Sequence, residues 1–232
     1  MYALSIIVPC LNESGNINGL IPRLDSALQQ LGVTYEIIVV DNGSLDKTKQ
    51  IATVIAAQYS TVSVVEEKQR GFGLTLRKGF SASKGEVLGY IHGDNQMNPR
   101  VIVEMYKKLQ SDNVAVCKAM RRNRRDGGIR SFISISYNFI FRILFGTRCH
   151  DINGSPKIFT RDFYEAADLK SEDWFIDPEI VIKADHLGFS IAEHAIDSAD
   201  RLHGVSKVHF HAVPEFLINI IRHSKYWRIR WH

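Results

Sequence analysis

Between residues 4 and 91 the chain alternates two kinds of pattern. Four short apolar runs read as strands: Leu4-Ser5-Ile6-Ile7-Val8, Glu36-Ile37-Ile38-Val39-Val40, Val62-Ser63-Val64-Val65 and Val87-Leu88-Gly89-Tyr90-Ile91. Between them, Ile17 to Leu31, Lys47 to Ala57 and Gly73 to Ser83 carry apolar residues at helical spacing, with Pro22 an irregularity near the start of the first. Strands separated by helices of this length form βαβ units, so the pattern predicts an α/β fold with a mainly parallel central sheet flanked by helices.

The second half is less regular. Val101 to Leu109 reads as a helix after Pro99, Val114-Ala115-Val116 as a short strand, and Phe175 to Leu187 as a helix with Pro178 early in it. Phe189-Ser190-Ile191-Ala192 reads as a last strand that ends at Glu193. Ile129 to Phe145 is apolar and aromatic, broken by Arg130 and Arg142, and suits either a core helix or a helix lying in a membrane interface. Val213 to Trp231 starts as an apolar helix and ends in Arg222-His223-Ser224-Lys225-Tyr226-Trp227-Arg228-Ile229-Arg230-Trp231, where cations and tryptophans interleave as in an interfacial anchor.

Composition narrows this picture in a few places. A chain of 232 residues with 45% hydrophobic residues supports one sizeable core, here placed in a domain over 1–211 with a basic, aromatic extension over 212–232. Cys10, Cys117 and Cys149 form neither a CxxC pair nor a disulfide framework, which points to a reducing compartment. The N-terminal apolar run lacks a basic leader and is cut by Pro9, so it reads as a strand and not a signal peptide. No stretch approaches the ~20 apolar residues of a spanning helix. The net charge of +4 is mild but uneven, with clusters at Arg121, Arg122, Arg124 and Arg125 and over residues 200–232. Such patches fit a phosphate-bearing ligand, nucleic acid or an anionic membrane surface equally.

Candidate chemistry collects after the strands. In parallel α/β sheets ligands bind beyond the strands' carboxyl ends, so Asn12-Glu13, Asp41 to Asp46 and His92 to Gln96 converge on one crevice. Asp41 is placed to accept a hydrogen bond from a base or sugar, whereas Asp46 suits the cap of the helix that follows it. Asp94 suits Mg²⁺ or Mn²⁺ in a site completed by diphosphate oxygens. His92 alternates with Asp94 and reads better as a packed, neutral ring than as a ligand. Arg70-Gly71-Phe72-Gly73 lacks the GxxxxGK[ST] spacing, and no GxGxxG follows the first strand, which argues against a P-loop nucleotidase and a standard dinucleotide dehydrogenase. Arg70 beside its glycines still suits a diphosphate. Asp151 and Lys157 flank a polar turn and either orient a substrate or pair with each other. Arg201 and Lys207 surround a glycine and a serine in a way that suits phosphate contacts. His203, His209 and His211 match no zinc spacing.

Taken together, Val8-Pro9-Cys10-Leu11-Asn12-Glu13, Val39-Val40-Asp41-Asn42-Gly43-Ser44-Leu45-Asp46-Lys47-Thr48, Arg70-Gly71-Phe72-Gly73 and His92-Gly93-Asp94-Asn95-Gln96 resemble family 2 glycosyltransferases of the GT-A fold. Asp151 to Lys157, Asp177-Pro178-Glu179, Glu193 and Arg201 to Lys207 resemble the polyprenyl-phosphate branch, which includes dolichyl-phosphate mannose synthases. The resemblance implies a Rossmann-like sheet and a nucleotide-diphosphate sugar as donor. It also implies Mg²⁺ or Mn²⁺ and transfer to a polyprenyl phosphate, dolichyl or undecaprenyl, by inverting displacement. It places Pro9, Asn12, Glu13, Asp41 and Arg70 around the nucleoside. Asp94 takes the second acid of an Asp-x-Asp motif, with Gly93 and Gln96 beside it and His92 where the first acid usually stands. Asn42 replaces the commoner second aspartate after the second strand. Arg201 and Lys207 match cations at the diphosphate and acceptor.

The same resemblance implies a peripheral protein on the cytoplasmic side of a membrane, bound to the surface or to a membrane-embedded partner, with no nucleic acid. A saccharide or other hydroxyl acceptor would instead require a general base, for which Asp151 is the candidate. A nucleotidyltransferase of similar topology and a non-catalytic nucleotide-sugar or lipid-binding module are the other readings.

Overall fold

A computed structural model describes residues 2–121, 147 and 149–196; the proposed 129–145 helix, Arg201, Lys207 and the 212–232 extension lie outside them. The four apolar runs form β1 (Tyr2–Cys10), β2 (Tyr35–Asp41), β3 (Val62–Glu66) and β4 (Gly85–Tyr90). They alternate with α1 (Ile17–Gln29), α2 (Thr48–Gln58) and α3 (Phe72–Ala82). Then come α4 (Arg100–Ser111), β5 (Val116–Arg121), β6 (Lys157–Thr160), α5 (Arg161–Ala167), α6 (Ile176–His186) and β7 (Ile191–Ile196).

One seven-stranded sheet runs β3-β2-β1-β4-β6-β5-β7. All neighbours are parallel except β4 with β6 and β5 with β6, so β6 alone is reversed. Apolar side chains fill both faces. On one side β1 and β2 contribute Ile6, Val8, Ile37 and Val39, packed with Leu20, Leu24, Ile102 and Met105 of α1 and α4. On the other, Ile7, Ile38, Val40, Leu88 and Tyr90 pack with Leu76 and Phe80 of α3, Phe163 of α5 and Ile180 of α6. Burial on both faces is why the strands read as continuous apolar runs and not as alternating ones.

Three boundaries differ from the sequence reading, and each has a polar side chain at its root. The strand expected at Val114–Val116 begins at Val116 and continues to Arg121 through Lys118, which is fully buried. Glu193 lies inside β7 and does not end it; it meets Lys118 with Oε1 2.8 Å from Nζ. Lys157 starts the reversed strand β6, fully buried, where a loop was expected. Helix α5 was not foreseen either, although Thr160 caps it by accepting from Phe163 N–H at 3.3 Å.

Phe159 of β6 is fully buried and meets Phe80 and Phe163 edge-on, with centroids 5.1 and 5.5 Å away. Phe159→Ala is expected to cost about 3–5 kcal/mol, read as a lower urea midpoint with an unchanged slope.

Candidate functional site

The crevice begins where β1 and β4 part. Strand β1 keeps register with β2 to the pair Cys10–Asp41, but its last pair with β4 is Ile7–Tyr90. The chain after β4 still satisfies β1: Ile91 N–H donates to Ile7 O at 3.0 Å and Gly93 N–H to Pro9 O at 3.3 Å. Pro9 has no N–H to offer on that side, and none is needed beyond the last β4 pair. Gly93 permits the approach, since a Cβ there would lie 2.7 Å from Cys10 Sγ and 2.8 Å from Pro9 O. On the other flank Asn42 N–H donates to Cys10 O at 2.9 Å. Strand order reverses direction of travel at β1 and β4, the position where open α/β sheets bind ligands.

The loops after β1 and β2 are stitched together. Asn12 N–H donates to Ser44 Oγ (3.0 Å), Leu45 N–H to Asn12 Oδ1 (2.8 Å), Glu13 N–H to Thr48 Oγ1 (2.8 Å) and Ser14 N–H to Asp46 Oδ2 (3.2 Å). Asn12 sits at φ 55°, a left-handed conformation that asparagine tolerates. Glu13 Oε2 accepts from Asn16 Nδ2 at 2.6 Å. Asp46 Oδ1 accepts from Thr48 N–H at 2.9 Å and from the Thr48 hydroxyl, so its role is to hold the turn. Burial opposes ionisation of Asp46, but the hydrogen bonds from Thr48 and Ser14 outweigh it and bring its pKa from 3.8 to about 2.

Asp41 is 1% exposed; its Oδ2 accepts from Ser44 N–H at 3.3 Å, whereas Oδ1 is buried with no hydrogen-bond partner among the described residues. A buried carboxylate oxygen without a donor is costly, so this acceptor is suited to a ligand N–H or O–H. Asn42 next to it explains the missing second aspartate. Its Nδ2 donates to Glu67 O (3.1 Å) and Gln69 O (2.6 Å), and its Oδ1 accepts from Gly71 N–H at 3.1 Å. An ionised aspartate has no proton to donate and could not span that loop.

Arg70 is exposed, with Nη2 3.4 Å from Gly43 O, so it leans over the β2 loop. The glycines after it serve packing. A Cβ on Gly71 would meet Glu172 O at 2.4 Å and one on Gly73 would meet Ser171 O at 2.3 Å, so the start of α3 lies directly against residues 171–172. Glu179 holds that segment, accepting from Lys170 N–H and Ser171 N–H at 2.8 Å each.

After β4, Asp94 is half-buried and its Oδ1 accepts from Gln96 N–H at 3.2 Å. Asp94, Glu13, Asp41 and Asp46 all act on buried Cys10; together with burial, which is the larger effect, they drive its thiol far above the usual range. The end of β1 is thus ringed by carboxylates. No group of three or more His, Cys, Asp or Glu among the described residues could hold a metal by itself. A hard divalent cation bound by Asp94 would therefore take its other ligands from phosphate oxygens and water, a donor set that fits Mg²⁺ or Mn²⁺. His92 is turned elsewhere: Nε2 lies 3.0 Å from Ser155 Oγ, and the ring lies nearly parallel to Phe72 and edge-on to Tyr90. Burial lowers its pKa against the pull of Asp177 and Asp94.

The far wall consists of ion pairs. Lys118 and Lys157 stand opposite each other across β5 and β6, both fully buried, an arrangement that unpaired like charges would not sustain. Glu193 neutralises the first, and Asp177, 2.6 Å away, the second. Tyr90 donates its hydroxyl to the same Asp177 oxygen. Burial lowers the pKa of Lys157, and the Asp177 carboxylate opposes that effect. Asp151 is 6% exposed and gripped by Arg121, with Nε to Oδ2 at 2.8 Å and Nη2 to Oδ1 at 3.0 Å. Asp151 and Lys157 therefore have separate partners. The sequence reading took Asp177 only as part of a motif and missed its pairing; a lysine opening an otherwise apolar run, Lys157-Ile158-Phe159, was the available signal.

Comparison with known proteins agrees with this geometry. The model of glycosyl transferase family 2 matches residues 5–167. Dodecaprenyl-phosphate galacturonate synthase of Rhizobium johnstonii is 29% identical over 88% of this chain and 61% of its own length. Undecaprenyl-phosphate 4-deoxy-4-formamido-L-arabinose transferase of Pseudomonas paraeruginosa is 26% identical over 88% and 60%, and glycosyltransferase AglD of Haloferax volcanii 26% identical over 84% and 32%. The chain thus spans between a third and three fifths of the length of these relatives. Glucosyl-3-phosphoglycerate synthase of Mycobacterium tuberculosis, solved with phosphoglyceric acid, superposes with a TM-score of 0.75 at 18% identity, covering 97% of this chain and 80% of that one. That likeness establishes the shared GT-A architecture.

Two outcomes follow from the geometry. Lys157→Met is expected to cost about 3–5 kcal/mol by leaving Asp177 charged and unpaired, and the added Asp177→Leu to recover much of that in urea titrations. Asp46 contributes stability that is full above its unfolded pKa of 3.8 and lost as pH falls through about 2. Acid unfolding of Asp46→Asn should accordingly lose less stability than the wild type between those values.

Proposed function

This chain belongs to glycosyl transferase family 2, and from that premise we propose that it transfers a sugar from a nucleotide-diphosphate sugar to a polyprenyl phosphate, with inversion at the anomeric carbon. The observation that carries the choice of acceptor is the state of Asp151, the candidate base, and of Asp177, another buried carboxylate on the same wall. Asp151 is held by both arms of Arg121, and Asp177 is paired with Lys157 and Tyr90. A hydroxyl acceptor needs a general base placed to take its proton, and these two carboxylates are already engaged. A phosphate is already an anionic nucleophile and needs none. Two of the similar proteins are named for sugar transfer to polyprenyl phosphates, which supports the same reading.

In this reading the unpartnered Asp41 Oδ1 accepts from the nucleoside, within the pocket formed by Pro9, Asn12, Glu13 and the overhanging Arg70. Asp94, with Gly93 and Gln96 setting its loop, would hold a divalent cation, and the chemistry that cation would supply is compensation of negative charge on the diphosphate. Crystals of the mycobacterial structural neighbour contain Mn²⁺ or Mg²⁺ with uridine diphosphate, in keeping with this assignment. Arg201 and Lys207 are assigned to the diphosphate and acceptor phosphate from their sequence pattern. We assign residues 1–211 to catalysis and 212–232 to contact with the cytoplasmic face of a membrane, directly or through a membrane-embedded partner. Among the described residues no helix is long and apolar enough to cross a membrane.

The test is release of nucleoside diphosphate from a panel of nucleotide sugars with Mg²⁺ or Mn²⁺. Release should require added polyprenyl phosphate and fall by about 10³ or more in Asp94→Ala. Equal release with a soluble sugar as acceptor, or undiminished metal-dependent turnover in Asp94→Ala, would reject the reading.

A further inference from the structure

Four large apolar side chains stand exposed among the described residues: Leu45, Val54, Trp174 and Leu187. Trp174 is the one built into an aromatic assembly. Its ring stacks on Phe72 with centroids 4.1 Å apart and planes 15° apart. Phe72 in turn lies 5.3 Å from His92 at 19°, and Trp174 is 6.1 Å from His92. These three separations describe a triangle and not a row: the indole lies over Phe72 and close to the imidazole. Its backbone is held from both sides. Leu74 N–H donates to Glu172 O at 3.1 Å, and Phe175 N–H to Asp173 Oδ1 at 2.8 Å. Phe175 is fully buried, yet Trp174 beside it keeps 46% of its surface exposed. Ordering an indole while leaving it half wet forgoes much of the stabilisation that its burial would supply.

We infer that Trp174, backed by Phe72, is the face against which the sugar ring of the bound donor rests, and that it governs affinity for the sugar part and not for the nucleotide part. The inference rests on the donor reading above. Position is the first argument: His92 is two residues from Asp94, so the indole lies one ring away from the segment assigned to the diphosphate, where the sugar is the next group. Chemistry is the second. A pyranose offers a face of C–H groups to an aromatic plane, and the half-exposed indole, backed by Phe72, presents such a plane. The surroundings are the third. The other exposed side chains of this segment are charged, at Asp168, Lys170 and Glu172, which suits a sugar and would interrupt the path of a hydrocarbon chain.

The experiment is calorimetric titration of the full chain, with Mn²⁺ present. The ligands are UDP, GDP, UDP-glucose, UDP-galacturonate and GDP-mannose; the proteins are wild type, Trp174→Ala and Trp174→Tyr. For whichever nucleotide sugar binds best, Trp174→Ala should weaken binding roughly five- to tenfold, leave the matching diphosphate unchanged, and be largely rescued by Trp174→Tyr. Equal weakening of sugar-bearing and bare nucleotide would mean that Trp174 only supports the loop, and overturn the inference. So would unchanged affinity for both, or unchanged donor affinity with a raised KM for polyprenyl phosphate, which would assign the indole to the lipid. A wild-type chain that bound none of the five would defeat the donor reading itself.

Discussion

Everything at the site depends on how one central strand ends. Strand β1 stays paired to β2 through Cys10, while β4 leaves its flank after Tyr90. A strand left unpaired on one side would expose carbonyls in a buried place, at a cost comparable to a lost hydrogen bond for each. The chain after β4 prevents this by sending Ile91 and Gly93 N–H groups back to Ile7 and Pro9. The crevice is therefore a controlled separation of two strands with the backbone still satisfied. Asp94 is carried on the turn that performs the repair. Its position is a by-product of backbone accounting, and any residue larger than glycine at 93 would push it away.

Around that separation, charge is managed in two ways. Around the end of β1 carboxylates gather: Glu13, Asp41, Asp46 and Asp94 all bear on the Cys10 thiol. That surplus suits a site that receives a cation along with an anionic ligand. On the opposite side each charge already has its partner, Lys118 with Glu193, Lys157 with Asp177 and Arg121 with Asp151. The first wall is rich in carboxylates, whereas the charges of the second are paired with one another.

The rim after β1, β2 and β4 was readable from the sequence because it is made of ordinary parts. Doubly buried parallel strands give uninterrupted apolar runs, and the polar residues that follow them mark the rim. Asp41, Asp94 and Gly93 could be picked out in this way, and the family resemblance reinforced them. The opposite side was not readable, because its strands carry buried lysines. Lys118 and Lys157 break the apolar pattern from which strands are recognised, and their partners lie 75 and 20 residues away along the chain. Asn42 was noticed as a departure, but only the three bonds that it makes to residues 67–71 give the reason. The packing role of the glycines at 71 and 73, which admit a neighbouring backbone beside Arg70, was not readable either.

The reversed strand β6 has a consequence of another kind. Because it runs against the other six, the chain leaves the sheet at Arg121 and re-enters at Lys157 on the same rim. The end of the connection nearest β6 is fixed, with Asp151 held by Arg121 and Ser155 by His92. Six aligned strands and one contrary strand thus bring both ends of that connection to a single rim of the sheet.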